Sequence, residues 1–162
     1  MLTTRKNLTV TTILLLLIAV TLSGCSGSTG GKGGITAGPL TPTNGQLEIP
    51  IAGISDGKSH HFKVKADDGT MVTFFVLKSA DGVIRAAIDA CDVCYRSGKG
   101  YVQEGDFMVC TNCGRRFAST RINEIKGGCN PAPLNRKIIG KNLVIAMKDI
   151  NANSWYSKFK KQ

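Results

Sequence analysis

Apolar and polar residues follow a strand-like pattern in three consecutive segments near the middle of the chain. Phe62, Val64 and Ala66 alternate with histidine and lysine residues. Residues 71–77 form a continuous run of β-branched and aromatic residues, which is typical of a buried strand, and residues 83–88 form a third apolar run. Turn signals of the Asp-Gly type separate the segments. This pattern predicts a small antiparallel β-meander joined by short hairpins.

Weaker strand patterns flank the meander. Residues 47–51 alternate between apolar and polar or small residues, and Pro50 indicates an edge strand because proline cannot donate to a neighbouring strand. Residues 142–147 predict a further strand, and the aromatic residues within 155–159 are spaced like a short amphipathic turn. The expected fold class is therefore mainly β, with α+β as the alternative. The cysteine-rich segment between these strands shows neither strand nor helix periodicity.

The N-terminal end of the chain has the pattern of an export signal. Arg5 and Lys6 precede an uncharged apolar run over residues 8–22, which has the size of a signal-peptide core and is short for a bilayer-spanning helix. The run ends in Leu-Ser-Gly-Cys at Cys25, which resembles the bacterial lipobox. We therefore expect a lipoprotein signal peptide over residues 1–24 and acyl chains such as palmitate on Cys25. An uncleaved anchor helix and a buried apolar helix are the alternatives.

This expectation sets the domain organisation and the location of the 162-residue chain. Residues 25–43 are rich in glycine, serine, threonine and proline, and they predict a flexible tether between the lipidated cysteine and a folded domain at 44–162. The domain is expected in the cell envelope, anchored to a membrane and facing the periplasm or the exterior. Removal of the signal peptide lowers the formal net charge from +10 to +8. Outside the cytoplasm this charge favours anionic head groups or an acidic protein partner over nucleic acid.

Two Cys-x-x-Cys pairs carry the strongest chemical signal. Cys91 and Cys94 form the first pair, and Cys110 and Cys113 form the second after a spacer of 15 residues. Each pair can form a tight knuckle whose thiolates face one ion, and the spacer suits a ribbon that folds back on itself. Gly114 supplies the unrestricted backbone that such a knuckle needs. Four thiolates favour a soft metal site, which means zinc, a single iron or an iron–sulfur cluster.

Other chemistries of these cysteines are weaker alternatives. Exported proteins often oxidise cysteines, so each pair is also a candidate disulfide or a redox-active dithiol. Covalent c-type haem is excluded because Tyr95, not histidine, follows the first pair. The chain has no serine-hydrolase, zinc-protease or phosphate-loop motif. The sequence therefore favours a redox carrier or a binding module over a catalyst, and no small-molecule substrate is evident.

A fifth cysteine of the folded domain, Cys129, follows two glycines and precedes Asn130 and Pro131. An odd number of cysteines cannot all pair with one another. Three interpretations stay open for Cys129: a lone buried thiol, an additional or exchangeable metal ligand, and an intermolecular bridge. Phe117 is a candidate to pack beneath the metal site.

Charged residues near the knuckles have less specific interpretations. His60 and His61 point to opposite faces of a predicted strand and cannot easily share one ion, so we expect one exposed and one partly buried ring. Asp89 and Asp92 are predicted as turn and solubility residues rather than a catalytic acid pair. A basic cluster after the second knuckle either docks an acidic partner, offsets thiolate charge or is simply solvated. It consists of Arg115, Arg116 and Arg121.

The cysteine segment, residues 89–134, carries a resemblance to a known family. The matching positions are 88–95, 100–101, 103–106, 108–110, 112–114, 117 and 127–131, together with 74–76 and 81–82 upstream. They are similar to the membrane iron–sulfur FtrD-like family, and the similarity covers roughly residues 57–134.

The resemblance implies an iron–sulfur or related metal protein of the bacterial envelope, associated with electron movement beside an iron permease. Five cysteines fall on the family's cysteine positions, namely Cys91, Cys94, Cys110, Cys113 and Cys129. Larger family members carry several membrane-spanning helices before the cysteine domain, whereas this chain carries the expected signal peptide and tether. The resemblance therefore implies an accessory module that acts beside a separate envelope transport or redox partner.

Overall fold

A computed structural model describes residues 38–160 of the protein. The expected signal peptide, the lipobox cysteine Cys25 and the tether up to residue 37 lie outside these residues. The described part is mainly β, as predicted, and none of its helices has the length and apolar character needed to cross a bilayer. The strands are β1 (Gln46–Pro50), β2 (His60–Lys65), β3 (Met71–Lys78), β4 (Ile84–Ile88), β5 (Tyr101–Glu104), β6 (Phe107–Cys110), β7 (Arg116–Ala118), β8 (Lys137–Ile139) and β9 (Asn142–Ala146), and the α-helix is α1 (Met147–Ala152).

The predicted meander is confirmed as the antiparallel sheet β2-β3-β4. Phe74 at its centre lies opposite Phe62 on β2 and Ile88 on β4. Strand β3 is buried on both faces, since both its even-numbered and its odd-numbered side chains are covered. Side chains alternate between the two faces of a strand, so the continuous apolar run of β3 supplies two cores at once.

The main core lies between the meander and a second sheet in the order β1-β9-β8. Strand β1 is at the edge of this sheet, as Pro50 predicts, and pairs only with β9 among the described strands. The predicted strand at residues 142–147 ends one residue early because Met147 begins α1. Ile150 of α1 and Tyr156 of the following 3₁₀ turn complete the core from the C-terminal side.

A third sheet, β5-β6-β7, lies within the cysteine segment, where the sequence shows no strand periodicity. Its strands have only three or four residues, too few for an alternating pattern to emerge. The sheet packs on the second face of the meander, where Phe75 and Leu77 of β3 join Tyr101 and Met108 in a smaller apolar cluster. This cluster supports the cysteines.

Candidate metal centre

The structure brings five cysteines from three separate segments together. The sulfur atoms of Cys91, Cys94 and Cys129 all lie within 4.8 Å of one another, and so do those of Cys94, Cys110 and Cys113. Cys94 belongs to both groups and thereby links the two knuckles. All five are free thiols. The fold-back of the ribbon that the spacer predicts is therefore present, whereas metal ligation by these residues stays a prediction.

The first knuckle forms where the chain leaves β4. The backbone N–H of Cys94 donates a hydrogen bond to the sulfur of Cys91 at 3.2 Å, and the N–H of Tyr95 donates to the Cys91 carbonyl at 3.1 Å. The side-chain amide of Asn112 reaches across from the second knuckle and donates to the sulfur of Cys94 at 3.4 Å. The two bonds to sulfur orient the side chains of Cys91 and Cys94 within the knuckle.

The second knuckle is a tight turn between β6 and β7. The N–H of Gly114 donates to the Cys110 carbonyl at 2.8 Å, and Gly114 adopts a left-handed φ of 72°, as the glycine predicts. A hydrogen bond from the N–H of Arg115 lowers the pKa of Cys113. Burial raises the pKa of Cys110 to about 11, against the opposing effect of hydrogen bonds from the Cys113 and Asn112 amides. A cation would offset this burial cost and stabilise the Cys110 thiolate.

Cys129 reaches the first knuckle from a loop far along the chain. The hydroxyl of Tyr101 donates a hydrogen bond of 2.6 Å to the Cys129 carbonyl and thereby fixes the loop to β5. Burial raises the pKa of Cys129 to about 11, and repulsion from the neighbouring thiols acts in the same direction. The interpretation of Cys129 as a lone buried thiol is wrong, because Cys129 is half-buried and its sulfur lies beside those of Cys91 and Cys94. Whether it binds a metal stays a prediction.

The site is closed on one side and open on the other. Cys91 and Cys110 are each 1% exposed, Cys94 and Cys129 are half-buried, and Cys113 is exposed. Phe117 packs against the apolar cluster below the buried cysteines, where the sequence expects it. Low polarity beneath the cysteines and access above them are features that would tune a bound metal and admit a partner.

Asp89 and Asp92 hold the first knuckle in place, and the prediction of Asp89 as a solubility residue is wrong. Asp89 is buried and accepts hydrogen bonds from the N–H of Tyr101 at 2.7 Å and from the ammonium group of Lys160. Asp92 accepts a hydrogen bond from the Tyr156 hydroxyl, whose pKa is raised, mainly by burial. The two carboxylates thus tie the knuckle to β5 and to the C-terminal end.

The C-terminal aromatic residues cover the first knuckle, a contact that the sequence did not reveal. The Tyr95 ring lies edge-on to the rings of Trp155 and Tyr156, with centroid distances of 5.0 and 6.0 Å. Phe159 contacts Tyr95 in the same way at 5.7 Å. The available signals were the aromatic residue directly after the first cysteine pair and the aromatic spacing near the C-terminus.

The histidines are absent from both sulfur groups of the described chain. His60 faces Asp56 at 2.7 Å and lowers the pKa of that carboxyl, while His61 points to the opposite face and contacts Phe75. Both rings are half-buried, so the expected exposure of one of them is wrong. All three residues of the basic cluster are exposed, and one of them, Arg116, pairs with Glu104.

The donor set fits a soft metal. Both groups consist of thiols alone, with no oxygen or nitrogen ligand within the described residues, and this composition suits iron, an iron–sulfur cluster or zinc. No curated protein matches the chain. Residues 54–156 match the family described as membrane iron-sulfur containing protein FtrD-like. This match spans more than half of the chain and contains all five cysteines, so the protein belongs to the FtrD-like family of membrane iron–sulfur containing proteins.

Proposed function

We propose that the protein is an electron carrier or metal-handling module of the cell envelope, built around iron or an iron–sulfur cluster. The observation that supports this proposal is the pair of three-sulfur groups that share Cys94. Cys91, Cys94, Cys110 and Cys113 would hold the metal, with Cys129 as a fifth ligand or a replacement for one of the four. When bound, iron in such a site supplies reversible one-electron transfer.

The surrounding residues have separate tasks in this proposal. Amide donors from Cys94, Asn112 and Arg115 stabilise the negative charge on the sulfur atoms. Tyr101 and Phe117 exclude water from the buried side. The exposed side at Cys113 is where an electron-transfer partner would approach, because transfer between proteins needs a short path to the metal. No residue of the site is assigned a catalytic task.

We also infer lipid anchoring at Cys25, which would hold the domain beside a separate membrane partner and link it to iron transport. The lipobox pattern and the membership of an iron–sulfur family associated with membranes support this location. Replacement of Cys25 by alanine should release the protein from membranes and abolish an acyl adduct in its mass spectrum. Unchanged membrane retention together with an unmodified Cys25 would contradict the anchor.

A purely structural zinc site is the second candidate. The site ties β4 to β5-β6-β7 and to the loop at Cys129, and a metal that joins such short strands would stabilise the fold without redox chemistry. In that case the protein would be a binding module, and the surface of its β-sheets would bind the partner. A thiol–disulfide redox protein is a third, weaker candidate, supported by the five free thiols.

Anaerobic purification of the full-length protein, followed by metal and sulfide analysis and absorption spectroscopy, separates the three candidates. Bound iron with a reversible visible redox signal would support the electron carrier. A colourless protein with one zinc that unfolds with a chelator would overturn it in favour of the structural site. Recovery of a metal-free native protein with disulfides Cys91–Cys94 and Cys110–Cys113 would overturn both metal candidates.

A further inference from the structure

An open cleft of about 780 Å³ lies next to the cysteine site, on the part of the meander's second face that the third sheet leaves uncovered. His61 and Lys63 of β2 and Thr73 of β3 line one wall, and the start of β5 lines the other. A volume of this size lies within the range of small-molecule sites in proteins, which is roughly 300–1,000 Å³. No task proposed above uses this cleft.

The cleft is strongly basic. Its lining includes Lys58, Lys63, Lys99 and Lys160, and Asp89 is its only acidic residue within the described chain. Asp89 is already paired with Lys160. The other three lysines form no ion pair within 4 Å with described residues. Lys58 lies near Asp56 and helps to lower the pKa of that carboxyl, but Asp56 is not part of the cleft lining. The charge of the lining is therefore strongly positive. A concave surface with one sign of charge concentrates anions.

His61 adds an unsatisfied polar atom to this lining. Its Nε2 atom is buried and has no hydrogen-bond partner in the described chain. The nearest acidic atom is an Asp89 carboxylate oxygen at 3.7 Å, which is too far for a hydrogen bond. Buried polar atoms without partners are rare in folded proteins and often mark a place where a ligand or water completes the bonding.

A single layer of side chains separates the cleft from the cysteines. Asp89, Tyr101 and Lys160 line both the cleft and a small neighbouring pocket whose other walls include Cys91, Cys94 and Cys110. An occupant of the cleft would therefore contact the residues that hold the first knuckle. Since Tyr101 also bonds the Cys129 carbonyl, it joins the cleft to the fifth cysteine.

We propose that this cleft is a binding site for a small polyanion that carries two or more carboxylate or phosphate groups. The three unpaired lysines provide the charge, and Ser59, Thr73 and Gln103 add polar atoms to the same lining. The cleft is concave, which suits a compact anion rather than the flat surface of a membrane. This inference goes beyond the function proposed above because binding of the anion requires no metal at the cysteines.

Titration calorimetry on the full-length protein at physiological salt, with citrate and pyrophosphate as probes, tests the proposal. Replacement of both Lys63 and Lys99 by glutamine should weaken binding about tenfold, because it removes two of the three unpaired positive charges from the cleft. A matched control replaces Lys78 and Lys141, which are exposed and do not line the cleft, and should bind like the wild type. Binding of citrate alone would identify a carboxylate ligand, and binding of pyrophosphate alone a phosphate ligand.

Three results would overturn the proposal. The first is that neither probe binds with a Kd below about 1 mM, a value that corresponds to roughly −4 kcal/mol. Alternatively, the control variant loses as much affinity as the cleft variant, which would indicate general attraction to a basic protein. Finally, an acidic peptide or anionic lipid vesicles bind through Lys63 and Lys99 while neither small anion does.

The single variant Lys99→Gln guards against misfolding, because Lys99 is exposed in a loop. This variant should also weaken binding of the anion probes while leaving the thermal midpoint of unfolding unchanged. Metal content measured on the same samples keeps this test separate from the metal centre. Loss of anion binding with normal metal content concerns only the cleft, whereas an absence of bound metal with normal anion binding concerns only the proposed function.

Discussion

Replacement of Tyr101 by phenylalanine tests the hydrogen bond that holds the loop of Cys129 against β5. The hydroxyl of Tyr101 donates to the Cys129 carbonyl at 2.6 Å, and Tyr101 is only 3% exposed. Water therefore cannot easily replace the lost donor, and the carbonyl is left without this partner. A partly buried hydrogen-bond acceptor that loses its donor lowers the free energy of unfolding by about 1–2 kcal/mol. For a domain of this size the thermal midpoint should fall by about 3–8 °C.

The same change should weaken metal retention, because the loop that carries Cys129 loses its attachment to β5. Removal of a partner that orients a metal ligand typically costs about 10–100-fold in metal affinity. Competition with a chelator of known affinity measures this loss. Tyr95→Phe is the matched control, since the Tyr95 hydroxyl accepts one hydrogen bond from the described residues, from Arg96 at 3.2 Å in an exposed position. The reasoning is refuted if Tyr101→Phe melts and releases metal like the wild type, or if Tyr95→Phe shows the same losses.

Three further predictions follow from the structure. Gly100→Ala should destabilise the domain by clearly more than Gly105→Ala in chemical denaturation, because both have positive φ but only at Gly100 would the new Cβ lie 2.6 Å from the Cγ of Asp89; equal losses would contradict this. A hydrogen bond from Arg85 lowers the pKa of Asp81. The stabilisation that this bond gives to the folded state is present above the usual aspartate pKa and is lost as pH falls below that value. Melting curves of Asp81→Asn should therefore show a weaker acid dependence than those of the wild type. Removal of the metal should increase hydrogen exchange in β5-β6-β7 more than in β3, and uniform loss of protection would argue against a local role.

Local patterns were sufficient to predict the meander, the edge position of β1 and the two knuckles. The apolar run of β3 is long enough to show that both faces are buried, and the two Cys-x-x-Cys pairs specify their own turns over three residues. The third sheet was missed because its strands are held by pairing with one another rather than by any pattern of their own. Strands this short carry too few residues for periodicity to be visible.

Sequence spacing alone is sufficient to predict a soft-metal site, since four thiols in two tight pairs favour such a metal. The position of Cys129 and the role of Asp89 depend on packing. Tyr101 lies 28 residues from Cys129, and Lys160 lies 71 residues from Asp89. Contacts between residues so far apart in sequence form only when the sheets pack together, because no local backbone preference encodes them. The basic cleft beside the cysteines arises in the same way, from lysines that are scattered along the chain and converge only in the folded domain.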